Sequence, residues 1–309
     1  MEKLYTRDAY GKTLLELGKK HKDLVVLDAD LSGSTRTAFF GREFPERFFN
    51  CGVAEQNMMA TAAGLASCGK IVFVSTFAMF ATARALDQVR NTICYNNFNV
   101  KIVATHGGIT VGEDGASHQA LEDVNLFRAI PNMKIIMPAD APQTREAVIT
   151  AYQTPGPFYI RLGRSKIPTL QKKSDFVFGK GQIIEEGKDL AIITCGIMVN
   201  ESLMAREILG KKGISTTVVN FHTIKPIDED LLVSIAKKHK KILVCEEHQI
   251  TGGLFSAVSE VLIRKYPTQL KPIGIEDEFG QSGSPQELMD FYGLSASNIA
   301  EKAQEFLRQ

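Results

Sequence analysis

Residues 51–76, CGVAEQNMMATAAGLASCGKIVFVST, place a helical pattern directly before an apolar, β-branched run. Met, Ala and Leu recur at helical spacing over 55–68, and the run over 70–76 has the character of a buried strand. A strand that is apolar along its length is typical of a parallel sheet covered by helices on both faces. The stretch therefore predicts an α/β fold. It also contains Glu55, an ionisable residue at the start of an apolar helix, whose only cationic neighbour within ten positions is Arg47.

Short apolar runs alternate with longer helical patterns along the whole chain, which extends the α/β prediction in both directions. In the first half, strands are predicted at 24–30, 70–76, 100–106, 133–140 and 157–163, and helices at 6–21, 55–68, 80–96 and 141–153. In the second half, strands are predicted at 189–196, 214–221 and 240–247, with helices ending near 210, starting near 228 and 253, and covering 296–308. Residues 165–180 are rich in Lys and Ser and lack periodicity. The predicted organisation is a doubly wound parallel-sheet domain over 1–170, a linker over 171–180 and a second α/β domain over 181–309.

The composition is that of an ordinary soluble protein, with 44% hydrophobic residues, 23% charged residues and a net charge of +1. A net charge this small gives no reason to expect nucleic acid or an anionic membrane as a partner. No apolar run reaches the roughly 18 residues of a membrane span, and the N-terminus lacks a signal-peptide pattern. The five cysteines, at 51, 68, 94, 195 and 245, form no CxxC pair. Reduced thiols in a cytoplasmic protein are therefore expected.

A Gly-rich loop with two histidines, THGGITVGEDGASHQALED (105–123), follows the strand predicted at 100–106. Ligands of open α/β sheets bind beyond the carboxyl ends of the strands, and glycine lets the backbone approach them closely. The density of titratable side chains favours a functional loop over a flexible surface turn. His106 and His118 are twelve residues apart with no third soft ligand nearby, so a zinc site is not indicated.

Two aromatic residues, Phe77 and Phe80, lie in STFAMF (75–80) directly after a predicted strand. Ordinary core packing is the simpler interpretation, and a stacking platform for a flat heteroaromatic ring is the functional one. Glu55, the two phenylalanines and His106 all lie near predicted strand ends, which gather at one edge of a parallel sheet. This convergence favours the functional interpretation.

Three sequence boxes in this order resemble the pyrimidine-binding domain of thiamine-diphosphate enzymes: GVAEQNM (52–58), STFAMF (75–80) and THGGITVGEDGASHQALED (105–123). From about residue 5 to its end, the chain is more specifically similar to the C-terminal half of transketolase. The resemblance implies a pyrimidine-binding domain followed by a transketolase-type C-terminal domain, with thiamine diphosphate as cofactor.

By this resemblance, Glu55 is a catalytic and cofactor-binding residue. It faces N1′ of the aminopyrimidine and stabilises the tautomer that activates the thiazolium carbon. A dry site strengthens this contact because electrostatic and hydrogen-bond energies grow as the local dielectric falls. Phe77 and Phe80 pack on the pyrimidine ring, and His118 and His106 move protons at the reacting oxygens. The structural alternative for Glu55 is a helix-dipole contact of about 0.5 kcal/mol.

The resemblance also implies a site for sugar phosphates, in which a two-carbon ketol unit passes from a ketose phosphate to an aldose phosphate. The implied substrate-binding residues are Arg7, Asp30, Ser34, His106, Asp114, His118 and Arg164. Arg161 is an alternative to Arg164 as a phosphate ligand, because both lie in IRLGR (160–164). Ala83 replaces a third aromatic of the family pattern, and residue 107 is Gly where many relatives carry Asp. Pentose phosphates are therefore the default substrates.

The chain departs from a full transketolase because it lacks the GDG motif that binds the cofactor's diphosphate in the family. Its EDG (113–115) belongs to the substrate loop instead. The resemblance thus implies the C-terminal subunit of a split transketolase. A separate N-terminal subunit with GDG and a downstream Asn is expected to bind the diphosphate with Mg²⁺ or Ca²⁺, and the two chains to form a heterotetramer. No metal ligands are expected in the chain itself.

Three alternatives remain open. The β subunit of a 2-oxoacid dehydrogenase shares the architecture, and a deoxyxylulose-phosphate synthase shares the GEDG loop within a longer chain. A regulatory subunit with a degenerate site is the non-enzymatic alternative. In the second domain, KPID (225–228), EEH (246–248) and TGGL (251–254) are interpreted as fold and interface elements, with TGGL either capping a helix or binding an anion.

Overall fold

A computed structural model of the chain describes residues 2–170 and 175–309. Residues 171–174 of the predicted linker lie outside the described residues, and 175–180 form neither helix nor strand. The rings of Phe176 and Phe178 pack against those of His222 and Phe158, with centroids 4.4 and 5.3 Å apart. The end of this segment therefore contacts both domains.

The first domain is built from strands and helices in alternation. Its strands are β1 (Lys3–Tyr5), β2 (Leu24–Asp28), β3 (Phe48–Asn50), β4 (Ile71–Ser75), β5 (Val100–Ala104), β6 (Lys134–Ile136), β7 (Phe158–Arg161) and β8 (Lys166–Pro168). Its α-helices are α1 (Thr6–Lys20), α2 (Ser32–Thr35), α3 (Ala38–Glu43), α4 (Glu55–Ser67), α5 (Leu86–Gln88), α6 (Asp123–Arg128) and α7 (Ala141–Gln153). Short 3₁₀ turns cover Pro45–Arg47 and Ile109–Asp114.

Six of these strands form the parallel sheet that the apolar runs predict, in the order β6-β7-β5-β4-β2-β3. β2, β5 and β7 are buried at every position, which explains why their sequences show no polar alternation. β1 and β8 pair antiparallel, with Leu4 opposite Ile167, so part of the aperiodic stretch 165–180 is a strand. The predicted doubly wound α/β fold is confirmed.

The second domain repeats the pattern around a smaller sheet. Its strands are β9 (Gln182–Glu185), β10 (Leu190–Thr194), β11 (Thr216–Asn220), β12 (Thr223–Lys225), β13 (Lys241–Gln249) and β14 (Gln269–Ile275). Its helices are α8 (Met198–Gly210), α9 (Glu229–Lys238), α10 (Leu254–Lys265), α11 (Pro285–Phe291) and α12 (Ala296–Arg308). None of the helices within 2–170 and 175–309 is long and apolar enough to cross a bilayer.

The two domains interlock through one strand. β14, β13, β10 and β11 are parallel, and β9 closes that sheet antiparallel. β12 leaves this sheet and pairs antiparallel with β6 of the first domain, with Thr223 opposite Ile136. Lys225 then donates to the carbonyls of Arg128 and Ile130 at 2.8 and 2.5 Å. The KPID segment is thus an interface element, as its sequence suggested.

The helix predicted at 80–96 is not a regular α-helix. Phe80–Arg84 and Val89–Cys94 are π-helical, and the backbone breaks at Ala85, where φ is −113° and ψ is 18°. π-helical turns are rare and frequently occur at functional sites. Local periodicity cannot distinguish this winding from an α-helix, and the winding determines where Arg84 lies.

Candidate active site at the carboxyl ends of the strands

Residues at the carboxyl ends of neighbouring parallel strands carry the candidate site. Asp30 follows β2, Phe77 follows β4, His106 follows β5 and Arg164 follows β7. Since β2, β4, β5 and β7 run parallel and adjacent, these residues lie at one edge of the sheet. The ligand edge expected from the sequence therefore gathers residues from four separate segments.

Glu55 is the most buried acid of this edge, with 1% of its surface exposed. It begins α4 after a turn in which Gly52 has a φ of 70°, a conformation that favours glycine. One carboxylate oxygen accepts a hydrogen bond from Thr76 Oγ1 at 3.3 Å, and the other accepts from Arg84 Nη1 at 2.8 Å. Sequence reasoning missed Arg84 because it lies 29 positions away, and Arg47 instead bonds to backbone carbonyls.

Four rings cluster beside Glu55. Phe77 stacks on His106 with centroids 3.8 Å apart and lies 6.0 Å from Phe80. His118 meets Phe80 edge-on at 5.3 Å. Arg84, which is 44% exposed, places its guanidinium carbon 4.4 Å from the centroid of the Phe80 ring. An aromatic surface and a dry carboxylate are therefore joined by one arginine.

His106 is held neutral by its surroundings. Burial lowers its pKa to about 3, and the nearby cations Arg7 and Arg164 and the imidazole of His118 act in the same direction. Its Nδ1 shares a hydrogen bond of 2.8 Å with Thr105 Oγ1, and its φ is 60°, a left-handed conformation. A neutral imidazole with one fixed nitrogen leaves Nε2 as the atom that can exchange a proton with a ligand.

The predicted phosphate ligands lie around this histidine. Arg7 Nη1 donates to the carbonyl of Ser34 at 3.1 Å, and burial lowers the pKa of Arg7. Arg164 donates to the Glu113 carboxylate at 2.9 Å. Since both arginines act on the pKa of His106, the two cations share one neighbourhood.

Arg161 differs sharply from Arg164. Its side chain is only 4% exposed, and its Nε donates to Asp123 at 2.7 Å. Its Nη2 donates to the carbonyls of Ala120 and Glu247. A buried guanidinium with these partners is not available to a phosphate that arrives from solvent. Of the two alternatives, Arg164 is the better candidate.

Two acidic candidates are exposed. Asp30 has a φ of 64°, and its backbone N–H and carboxylate are bonded to the side chain of Asn50 at 3.0 and 2.9 Å. Asn50 Oδ1 also accepts from Gly52 N–H at 3.0 Å. Asn50 therefore connects Asp30 to the turn before Glu55, a role with no signal in its sequence neighbourhood. Asp114 ends the turn Ile109–Asp114 on the surface of the Gly-rich loop.

The TGGL segment caps a helix and does not present an anion site. Gly253 precedes α10, and the Glu246 carboxylate accepts the backbone N–H groups of Leu254 and Phe255 at 2.7 and 2.9 Å. The protein's own carboxylate thus occupies the position an anion would take. The anion-binding interpretation of TGGL is wrong for this reason.

Within the described part of the chain, no group of three or more His, Cys, Asp or Glu residues could hold a metal ion. The five cysteines are free thiols, and Cys94, Cys195 and Cys245 are buried.

Two family models match the chain. The transketolase pyrimidine-binding domain matches residues 2–169, and the transketolase C-terminal domain matches residues 179–299. A putative transketolase C-terminal section of Methanocaldococcus jannaschii is 51% identical over 98% of this chain and 96% of its own length. One of the two chains of an apulose-4-phosphate transketolase of Phocaeicola vulgatus is 38% identical over 98% of this chain and 97% of its own length.

Longer relatives and solved structures agree with these matches. Human transketolase is 35% identical over 97% of this chain, which spans 48% of the human protein. A solved structure described as a split gene transketolase, inactive β4 tetramer, superposes with a TM-score of 0.92 at 49% identity and covers 99% of both chains.

Proposed function

The chain belongs to the transketolase family, and we propose that it is the C-terminal subunit of a thiamine-diphosphate-dependent transketolase. In this proposal the enzyme transfers a two-carbon ketol unit from a ketose phosphate to an aldose phosphate. The observation that carries the proposal is the buried Glu55 carboxylate at the start of α4, next to the Phe77 and Phe80 rings and the two loop histidines.

The donor set fits the aminopyrimidine end of the cofactor. A flat heteroaromatic ring requires an apolar surface on its face and polar partners at its edge. Phe77 and Phe80 supply the first, and Glu55 supplies an anionic acceptor for a ring N–H. When bound, thiamine diphosphate supplies the electron sink that stabilises a two-carbon carbanion. The described residues offer no metal-binding cluster, so the metal and diphosphate are assigned to another chain.

Each protein group then has a defined task. Glu55 holds a proton at the ring nitrogen that faces it, and burial strengthens that contact. His106 is neutral and accepts or returns protons at substrate hydroxyls, together with His118. Arg7 and Arg164 bind the substrate phosphate, since a planar guanidinium matches its oxygens. The remaining assigned ligands are Asp30, Ser34 and Asp114.

The proposed partner is a transketolase N-terminal subunit that carries GDG and a downstream Asn. Support comes from two relatives, one named as a C-terminal section and the other as a transketolase subunit, each matched over nearly its full length. Two copies of each chain in a heterotetramer, with Mg²⁺ or Ca²⁺ held by the partner, complete the proposal.

Pentose phosphates are the proposed substrates, which places the enzyme in pentose phosphate metabolism, and the cytoplasm is the proposed compartment. Relatives of similar length are named for other sugars: apulose 4-phosphate and, at 39% identity in a Clostridium species, 6-deoxy-6-sulfo-D-fructose. Substrate range is therefore the part of the proposal that most needs measurement.

The test is copurification with the proposed N-terminal subunit, followed by a ketol-transfer assay over several sugar phosphates. We expect two-carbon transfer between sugar phosphates without carbon dioxide. Carbon dioxide release from a 2-oxoacid would favour an oxoacid dehydrogenase β subunit, and release from pyruvate with glyceraldehyde 3-phosphate would favour a deoxyxylulose-phosphate-synthase-like enzyme. The absence of a stable complex and of every such activity would favour a non-enzymatic role.

A further inference from the structure

The EEH segment at the end of β13 has no task in the proposed function, yet its three side chains are buried. Glu246 bonds within its own domain, at the start of α10. Glu247 instead contacts the first domain, where its Oε1 accepts the backbone N–H of Thr110 at 2.8 Å. The C-terminal domain therefore reaches the Gly-rich loop with a carboxylate.

A buried cation lies beneath the same contact. Arg161 Nη2 donates to the backbone carbonyl of Glu247 at 3.0 Å, and its Nη1 lies 4.0 Å from the Glu247 carboxylate. Arg161 Nε is bonded to Asp123. A carboxylate taken out of water needs such charge pairing, because an isolated buried charge is very costly. The arginine and the two acids form one buried network under the loop.

Two glycines let the loop backbone lie directly on this network. A Cβ at Gly108, whose φ is 89°, would stand 2.1 Å from the Glu247 carboxyl carbon. A Cβ at Gly107 would stand 2.7 Å from Arg161 Nε. Any side chain at either position would displace the network or the loop. The glycines at 107 and 108 are thus required by groups of the domain interface.

The loop that starts here carries His106, Asp114 and His118. Its further course is held by Gln119, whose Nε2 donates to the carbonyls of Ile109 and Gly112 and, in the second domain, to that of Gln281 at 2.9 Å. The C-terminal domain therefore holds the loop at two points, one through Thr110 and one through Gln119.

We propose that Glu247 is a positioning residue that fixes the start of the Gly-rich loop, and with it the geometry of the substrate-binding histidines. The effect on catalysis rests on the proposed function, whereas the effect on the loop does not. In this account the C-terminal domain contributes to substrate binding without touching the substrate.

Hydrogen exchange of the isolated chain tests the positioning without an assay of activity. In Glu247→Ala, we expect peptides covering 107–119 to exchange about tenfold faster, because a charge-assisted hydrogen bond is lost, while peptides from β10 are unchanged. Glu247→Gln keeps the volume and one acceptor oxygen, so it should fold and show an intermediate rate. Glu246→Gln is the matched control, since it alters a neighbouring buried carboxylate that bonds to α10, and the loop rate should stay at the wild-type level.

Kinetics of the complex with the proposed partner provide the second readout. Glu247→Ala should lower kcat/KM for the sugar phosphate about 10- to 100-fold, because small displacements of reacting groups are costly. The apparent Kd for thiamine diphosphate should change less than about twofold, since Glu55 and the two phenylalanines lie outside the loop. Glu247→Gln should recover part of the loss.

Wild-type loop exchange in both Glu247 variants would overturn the proposal, as would equal losses of cofactor and substrate affinity. If the wild-type complex shows no ketol transfer, the proposed function fails while hydrogen exchange still decides whether Glu247 holds the loop.

Discussion

Two buried glutamates, Glu55 in the first domain and Glu247 in the second, separate the two kinds of task that a buried carboxylate can have. Their exposed fractions are 1% and 3%, and each accepts a hydrogen bond and lies near an arginine. The arginine beside Glu55 is 44% exposed, whereas the arginine beside Glu247 is 4% exposed. Burial alone therefore does not distinguish a reactive acid from a structural one.

The accessibility of the counter-ion makes the difference. Arg84 lies between Glu55 and solvent and rests on Phe80, so movement of one side chain gives a ligand access to the carboxylate. Arg161 is enclosed by Asp123, Ala120 and Glu247, so the Glu247 carboxylate has no such access. We conclude that Glu55 is available for chemistry and that Glu247 serves the architecture of the loop.

The largest effect that would sharpen this comparison is expected from Glu55→Gln. Gln cannot carry the negative charge that holds a proton on a facing ring nitrogen, so turnover of the complex should fall about 10²- to 10⁴-fold. The control is Glu46→Gln, an exposed carboxylate paired with Arg47, which should keep wild-type turnover. Near-normal turnover in Glu55→Gln would remove this residue from the mechanism.

Stability should reverse the order of the two glutamates. Removing the Glu247 carboxylate in Glu247→Ala leaves Arg161 with less compensation in a buried site, which should cost about 3 kcal/mol of unfolding free energy. Glu55→Gln breaks a pair with a half-exposed arginine and should change stability by less than about 1 kcal/mol. Urea denaturation of the isolated chain measures both, and equal losses would end the distinction.

Arg7 tests whether the open region near His106 binds phosphate. Arg7→Gln should lower kcat/KM for sugar phosphates about 10- to 100-fold, since a hydrogen bond to a charged group contributes about 1.5–3 kcal/mol. Arg145→Gln is a suitable control, because this arginine is 45% exposed and pairs with Glu16 and Glu146. A loss confined to thiamine-diphosphate affinity would contradict the assignment of Arg7 to the substrate.

Much of the sheet was predictable because its strands are apolar along their length. The runs at 24–30, 100–106 and 157–163 contain β2, β5 and β7 with ends differing by at most two residues. β3 has only three residues, and β12 joins the sheet of the other domain, so local periodicity gave no signal for either. Non-local pairing has no local pattern.

The site was predictable where residues follow strands and hidden where they meet through space. Phe77 and His106 follow strands that neighbour each other, which is why their contact could be expected. Arg84 was hidden by the π-helical winding, and Arg161 and Glu247 meet only through the domain interface. One signal was available: KILVCEEHQ places three titratable residues at the end of a run that is otherwise apolar after its first two positions.

The smallest effect concerns pH. Burial lowers the pKa of His106 to about 3, so the unfolded chain binds this proton more tightly and stability is lost as pH falls from about 6.5. The slope is about 1.4 kcal/mol per pH unit for one such group. His106→Asn should remove that slope between pH 6.5 and 5 in urea denaturation, while His222 and His248, whose pKa values are also lowered by burial, remain in both proteins. Identical slopes would show that His106 is not held neutral.

Calorimetric titration of thiamine diphosphate with Mg²⁺ tests the central claim most directly, using the isolated chain, the proposed N-terminal subunit and their equimolar mixture. We expect saturable binding by the mixture, weaker binding when the mixture contains Glu55→Gln, and no saturation by the isolated chain over the same concentrations. Tight, metal-dependent binding by the isolated chain would contradict a cofactor site shared between two polypeptides.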